Sequence, residues 1–452
     1  MSRLWQMRRN TSAGAAASNP ILAAGEPGFE TDTNVFRIGD GVTNYKDLPQ
    51  YKPETSELIG VRWAYTASSP TLTRINEFDE TITAGAAFFA KHPIYSKMRR
   101  CNVADDGTIN AYHGDAAFAY DGSNGQVMVY VPAFWYRSYK DDQYIRWFIS
   151  ATPRSGFKRH PAFISDSVDK DYFMWGAFEG CAYDTSETAY ITDDAAGVDF
   201  TATTGDVLSS IAGVKPISGA NNSFTRANAR ILAENRGDGW QLIDFNQLSA
   251  IQMLFMVEAG TLNSQSIYEG VTDLALGTGN KSINTGYTAG VGTESSDLGN
   301  TSGEVVITTD AATQPFSYHG IENLYGNINA WLDGINTSGY VAFIADHGYV
   351  DNVLIDPYAS TNVTFPTPNG FITAIGFNDS IDYGFIPSAS AGSDSTYLCD
   401  QTFTNTGLRT VEWGASWNDE SNGGLYKITC VNATTNYYKA NGARLAYVPQ
   451  VA

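Results

Sequence analysis

The residues best equipped for chemistry in this 452-residue chain are its carboxylates, its five histidines and its four cysteines. Their spacing argues against the usual catalytic and metal-binding arrangements. Asp105-Asp106, Asp141-Asp142 and Asp193-Asp194 are adjacent pairs. Neighbours on a strand point to opposite faces, so these are poor acid/base pairs and read as solvated loops. A glycoside hydrolase needs two carboxylates about 5 to 10 Å apart across a cleft, and nothing here points to such a pair. His92, His113, His160, His319 and His347 show neither HExxH nor HxH spacing, which argues against a histidine-built metal centre. His160-Pro161-Ala162-Phe163 reads as a structural turn. Cys101, Cys181, Cys399 and Cys430 lack CxxC spacing. They read as buried thiols, with a Cys399–Cys430 bridge left open. No Gly-x-Ser-x-Gly elbow or phosphate-binding loop is present, so no catalytic or metal-ligating residue is assigned.

The polar residues with an evident frame lie at the C-terminus. Val411-Glu412-Trp413-Gly414-Ala415-Ser416-Trp417-Asn418-Asp419 is followed by Gly423-Gly424-Leu425-Tyr426 and then by Asn441-Gly442-Ala443-Arg444-Leu445. Indole rings fill a core and glycines let backbones approach closely, while the polar side chains between them are free to face outward. That make-up suits a rigid display surface better than a buried catalytic pocket.

Elsewhere the chain must supply the scaffold. Charged residues are scarce at 17%, and Gly, Asn, Thr, Ser and Tyr are abundant, a profile of β-rich, loop-rich extracellular or virion proteins. The net charge of −20 opposes binding to phosphate backbones and to anionic membranes, so no nucleic-acid partner is expected. Arg99-Arg100 and Lys158-Arg159 are basic islands too short for such a role and read as local pairing. No apolar run is long enough to span a membrane, so no membrane insertion is expected, and Thr11–Asn19 is Ala/Ser-rich rather than a signal-peptide core. A protein of this character without an export signal leaves its cell another way, such as host lysis after particle assembly.

Three stretches follow one another. Residues 1–52 form a small module of short strands, with Leu4-Trp5-Gln6-Met7-Arg8 as the first and an Asp40-Gly41 turn after Val35–Ile38. So small a module buries little core alone and gains stability by self-association. Residues 53–60 read as a linker, and 61–452 as a large domain. Gly60–Trp63, Pro70–Ile75, Gly125–Tyr136, Tyr144–Ser150 and Tyr172–Gly180 are strand-like. Ser223–Asn235 and Leu242–Val257 are the best helices, the second with an apolar stripe that packs onto a sheet. Residues 262–314 and 384–406 are rich in Gly, Thr and Ser, and Leu276–Asn280 and Thr285–Gly292 read as exposed loops. No internal repeat is present, which argues against a solenoid or propeller.

The N-terminal module resembles the N-terminal repeat of bacteriophage tail-fibre and tail-associated proteins. The resemblance rests on Met7-Arg8-Arg9-Asn10-Thr11, Asn19–Asp32, Ile38-Gly39-Asp40-Gly41-Val42-Thr43 and Asp47-Leu48-Pro49. It implies interlocked chains in a trimeric β-prism that attaches a fibre to other tail proteins.

The large domain carries Gly239-Trp240-Gln241-Leu242, Glu322–Gly334 with Asn323-Leu324-Tyr325-Gly326-Asn327, Trp413–Trp417 and Gly442-Ala443-Arg444-Leu445. This series is similar to the C-type lectin fold of formylglycine-generating enzymes and phage variable receptor-binding proteins. The close copper-binding cysteine pair of the former is missing, as is the histidine triad of the related sulfoxide synthases. The resemblance makes Trp331, Trp413, Trp417, Gly442 and Arg444 scaffold. It places receptor contacts at Ser416, Asn418, Asp419, Glu420, Asn422, Tyr426, Lys427, Thr429 and Asn432, with Asn436, Tyr437 and Tyr438 nearby. In the phage branch several such positions are targets of a diversity-generating retroelement. Trp417-Asn418-Asp419 also matches a triplet that ligates calcium in sugar-binding C-type lectins. The companion Glu-Pro-Asn type motif is missing, and the triplet reads as a plain turn, with calcium as the alternative.

Together these readings describe a β-rich α+β protein: a small intertwined β-prism module and a large C-type-lectin-like domain with loop insertions. The expected role is a homotrimeric phage tail-fibre or tail-tip adhesin on the virion, non-enzymatic, binding a host surface glycan or protein. A fibre or baseplate decoration that touches only virion proteins is one alternative, and a surface-polysaccharide depolymerase is another.

Overall fold

In a computed structural model of the protein, the described residues are 8–32, 35–51, 57–191, 197–275, 277–310, 313–353 and 355–450. The expected strand residues Leu4–Met7, linker residues 53–56, the Asp193-Asp194 pair and Leu276 lie outside them. The chain divides into two units, residues 1–57 and 58–452. The start of the second unit corrects the linker expectation, because residues 58–60 already belong to the strand Leu58–Trp63.

In the first unit, strand Pro27–Glu30 pairs in parallel with Arg8–Asn10 on one side and antiparallel with Phe36–Ile38 on the other. Between the first two strands runs helix α1, Ser12–Ser18. The Ala/Ser-rich composition gave no helix in the sequence reading, yet alanine is the best helix former and both ends are capped. The Thr11 hydroxyl accepts from the Gly14 amide at 3.1 Å, and Asn19 closes the helix in the left-handed region at φ 35°. Among the described residues, the core of this unit is a small cluster of Ala15, Leu22, Tyr45 and Leu48. Beside it the buried Arg37 pairs with Glu30 at 3.4 Å and donates to the carbonyls of Lys46 and Leu48. At the Asp40-Gly41 turn, hydrogen bonds from the Thr43 hydroxyl and the Thr43 and Val42 amides hold the Asp40 carboxyl down to about 2.

The second unit is built on three larger sheets. A five-stranded antiparallel sheet has the order Lys158–Arg159, Trp135–Lys140, Ile145–Ser150, Leu58–Trp63, Leu72–Ile75. The run Gly125–Tyr136, expected as one strand, breaks at Ala133-Phe134 and feeds two sheets. Its first part, Gln126–Pro132, lies in a six-stranded antiparallel sheet with Arg99–Val103 and Tyr172–Gly176 as neighbours. The strand Leu445–Tyr447, from the end of the chain, enters that sheet between Tyr172–Gly176 and Trp240–Leu242. A nine-stranded sheet is centred on Asn329–Ser338, Arg409–Trp413 and Ile428–Cys430. Segment 384–406, read as loop, contributes two of its strands, Pro387–Ser390 and Gln401–Thr404.

Helix α2 is a single turn, Ala86–Phe89. Helix α3, Arg226–Glu234, and helix α4, Phe245–Ala259, fall within the two expected helical stretches or within two residues of them. α4 departs from the expected one-sided packing, since every residue from Phe245 to Val257 is buried. A helix enclosed on all sides must satisfy its polar groups internally. Asp244 and Gln247 form a capping box, Gln252 donates to the Leu425 carbonyl at 2.9 Å, and Asn246 accepts from Tyr383 at 2.8 Å. No helix among the described residues is long and apolar enough to cross a membrane.

The segment Thr285–Ala289, expected as exposed loop, is instead largely buried. Its partner is distant in sequence: the Glu322 carboxylate accepts from the Gly286 amide at 2.6 Å and from both the amide and hydroxyl of Thr288 at 2.7 Å. Of the basic islands, Arg159 pairs locally with Asp169 at 3.2 Å, but Arg100 and Lys158 reach partners distant in sequence. Arg100 is fully buried and donates to the Gly320 and Thr288 carbonyls, while Lys158 meets Asp382 at 2.8 Å. All four cysteines are buried and free, so the Cys399–Cys430 bridge is not formed. His160 is buried and caps the turn Pro161–Phe163, and burial alone pulls its pKa down to about 3.

On α3, Arg226 and Arg230 lie one turn apart and share Asp333 and Asp351, with Arg230–Asp333 and Arg226–Asp351 both at 2.5 Å. Both side chains of the Arg226–Asp333 pair are wholly buried. Breaking such a network on one side strands a buried charge. Asp333→Asn is expected to destabilise the second unit by about 3 kcal/mol or more. A urea-unfolding midpoint equal to that of the unaltered chain contradicts this.

Candidate functional site

The frame of the C-terminal region is a set of paired strands that bury their tryptophans. Trp413 pairs with Ala330 on one side and Ile428 on the other, and its ring meets Trp175 edge-on at 5.9 Å. Trp331 is fully buried and donates its indole N–H to the Phe224 carbonyl at 3.0 Å. Trp417 is fully buried, Gly442 pairs with Ala330, and Arg444 is buried. All five expected scaffold residues are therefore interior.

The expected contact residues divide into two groups. Ser416, Tyr426, Lys427, Thr429 and Asn432 are buried and leave the contact set. Tyr426 has no exposed surface; its amide donates to Asp400 at 2.7 Å and its ring packs on Phe385. Gly424 beside it allows that approach, since a Cβ there meets Asp400 Oδ1 at 2.4 Å and Ser264 Oγ at 2.6 Å. The strand Ile428–Cys430 carries Thr429 inward, and Asn432 donates to Glu412 at 3.1 Å.

Lys427 reaches Asp419 at 2.6 Å. The other Asp419 oxygen accepts from the Ser416 amide at 2.6 Å and its hydroxyl at 2.9 Å, so Trp417-Asn418-Asp419 is a closed turn. This donor set does not suit calcium. Both Asp419 oxygens are engaged, and the Lys427 ammonium already supplies the positive charge.

Asn418, Asp419, Asn422 and Asn436 are half-buried, while Glu420, Tyr437 and Tyr438 are exposed. The two tyrosines expose 47% and 55% of their surface. The backbone at Tyr438 is nonetheless fixed: its carbonyl accepts from Gly219 at 3.0 Å and from Asn441 at 3.1 Å. Glu420 is held by its amide on the Thr272 carbonyl at 2.8 Å and its carbonyl on Gln265 at 3.0 Å.

A third participant is not evident from the sequence. The inserted loop around 272–283 joins the two edges: the Leu274 amide donates to the Trp417 carbonyl, and Lys439 donates to the Gly277 carbonyl. It leaves Asp273, Thr278 and Lys281 exposed. The only sequence signal was its loop composition, which does not say which surface it borders.

Beneath the loops lie two buried carboxyls, Asp400 and Glu412. Burial pushes each up to about 7, with the nearby Lys427 charge opposing the rise. A carboxyl whose folded value exceeds its ordinary one binds more protons folded than unfolded. Its contribution to stability is therefore full below the ordinary value near 4 and is lost as pH rises through about 7. The thermal midpoint is expected to fall between about pH 5 and pH 8, and Glu412→Gln to shrink that fall. An undiminished fall in Glu412→Gln contradicts the assignment.

In class, this is a β-rich fold whose C-terminal strands end in short polar and aromatic loops over a packed interior. Residues 6–43 match the family described as the Major tropism determinant N-terminal domain. The chain is also similar to the solved Major Tropism Determinant P3c variant, at 14% identity over 98% of this chain and 99% of that one, with a TM-score of 0.27. For the M1 variant the values are 15%, 98%, 99% and 0.28. A comparison with curated proteins gives no match.

Proposed function

We propose that this chain is a bacteriophage tail adhesin whose C-terminal loops contact a receptor on the host cell surface. The observation that carries the reading is the match of residues 6–43 to the N-terminal domain of a protein described as a tropism determinant. The C-type-lectin-like reading of the larger unit is supported by the return of Leu445–Tyr447 into the sheet of Tyr172–Gly176. In this reading the chain sits on the virion at a tail fibre or tail tip, held through its N-terminal module to other tail proteins, and it binds without catalysing a reaction.

The contact face in this proposal is Asn418, Asp419, Glu420, Asn422, Asn436, Tyr437 and Tyr438, flanked by Asp273, Thr278 and Lys281. Tyrosine suits it, offering large amphipathic area with few torsions to freeze, and asparagine adds adaptable hydrogen bonds. The double variant Tyr437→Ala/Tyr438→Ala is expected to keep the thermal midpoint and to bind host cells at least about tenfold more weakly, since aromatic anchors carry much of such a contact. Unchanged cell binding by the folded variant removes these residues from the face.

Trimerisation belongs to the same proposal. The first unit exposes Ile21, Ile38, Val42 and Tyr51 around its small core, more apolar surface than so short a module has reason to leave in water. Light scattering of the purified full chain is expected to give three chain masses. Val42→Glu with Ile38→Glu is expected to lower that number, and a monomeric unaltered chain excludes the trimer.

A further inference from the structure

A cavity of about 260 Å³ opens beside the C-terminal end of α4, lined chiefly by Arg74, Phe89, Phe255, Glu258, Tyr268 and Tyr318. It shares no residue with the display loops. Four aromatic rings form its apolar walls, with Phe255 at 5.3 Å from Tyr318 and 6.4 Å from Tyr268.

Its polar groups are held in place from behind. Arg74 Nε donates to the Val257 carbonyl at 3.1 Å and Nη2 to the Glu258 carbonyl, so the guanidinium caps the negative end of α4. Its planar group also lies 5.5 Å from the Phe89 ring centre. Glu258 Oε2 meets His319 Nε2 at 2.7 Å. Tyr318 is only 2% exposed, and its hydroxyl faces the Glu258 carboxylate; burial and that charge together hold it well above its ordinary range.

We propose that the cavity binds a single neutral pyranose ring. The lining selects against simple ions: Arg74 repels a cation and Glu258 repels an anion. Hydroxyl groups both donate and accept, and so match a guanidinium donor, a carboxylate acceptor and the Tyr318 hydroxyl at once. The C–H face of the ring meets the aromatic walls, where apolar area is buried. Pockets for drug-sized ligands measure roughly 300 to 1,000 Å³, and a cavity just below that range takes one ring rather than an oligosaccharide. The site stands whether or not the display loops contact a receptor.

Saturation-transfer NMR on the full chain tests this, with methyl β-glucopyranoside, methyl β-galactopyranoside and N-acetylglucosamine at about 10 mM as probes. Tetramethylammonium chloride and sodium acetate serve as charged controls. At least one pyranose is expected to receive saturation, strongest at its ring C–H protons. Its affinity is expected to fall about fivefold in Tyr318→Phe and in Glu258→Gln, each with an unchanged thermal midpoint, and to persist in Tyr437→Ala/Tyr438→Ala. The proposal is overturned if no pyranose receives saturation, if only a charged control does, if both cavity variants bind like the unaltered chain, or if the display-loop variant alone loses the signal.

Discussion

Arg444 donates to the carbonyl oxygens of Gly176, Ala177, Glu322 and Asn323, acceptors drawn from two segments that lie far apart along the chain. Each of those oxygens is buried and costly to leave without a donor. A planar guanidinium with five N–H groups reaches them together, which a lysine does not match in geometry or number. The pull extends further. Glu322, whose carbonyl serves Arg444, turns its carboxylate onto Gly286 and Thr288, and the Thr288 carbonyl in turn receives Arg100. The closing strand, the Thr285–Ala289 segment and the Arg99–Val103 strand are thus one polar assembly. Glu179, 4.0 Å from Arg444, shares its burial, which pushes its carboxyl up to about 7.

The display loops depend on this closure because they leave from the same strands. Arg444 follows the strand Asn441–Gly442, which pairs with Asn329–Ala330, and Tyr438 accepts from Asn441 just before it. On the other edge, Lys427 and Asp419 link the turn at Trp417 to the strand Ile428–Cys430. The interior under the loops is therefore ionic and amide-rich. Such groups confer geometry at some cost in stability, because each buried charge must be matched by a partner in a fixed position.

Much of this architecture was legible in the chain. The β-branched and aromatic runs at Ile145–Ser150 and Tyr172–Gly176 are strands, and both helices fell where their patterns placed them. What was not legible is which side of the fold a residue faces when its type suits both. Tyr426 and Tyr437 are the same amphipathic side chain; the first is fully buried and bonded to Asp400 through its amide, and the second stands in solvent. The difference lies with Asp400 and Gly219, partners that local sequence does not reveal. The segment Thr285–Ala289 reads as a solvated loop until Glu322 is known to sit against it. α1 is the opposite case, a fully local structure whose small residues were read as composition rather than as a capped helix.

The backbone clamp at Tyr438 has an evolutionary consequence. Gly219 and Asn441 hold this segment through main-chain atoms, so the side chains there contribute little to holding the fold. Substitution at Tyr438 leaves its carbonyl to accept the same two main-chain bonds, whereas Glu420 stands at φ 50°, in the left-handed region that β-branched residues and proline disfavour. Mutational tolerance is thus concentrated on the outermost side chains, while intolerance begins one layer below, at Lys427, Asp400 and Arg444. A surface partitioned in this way can explore new chemistry without putting folding at risk.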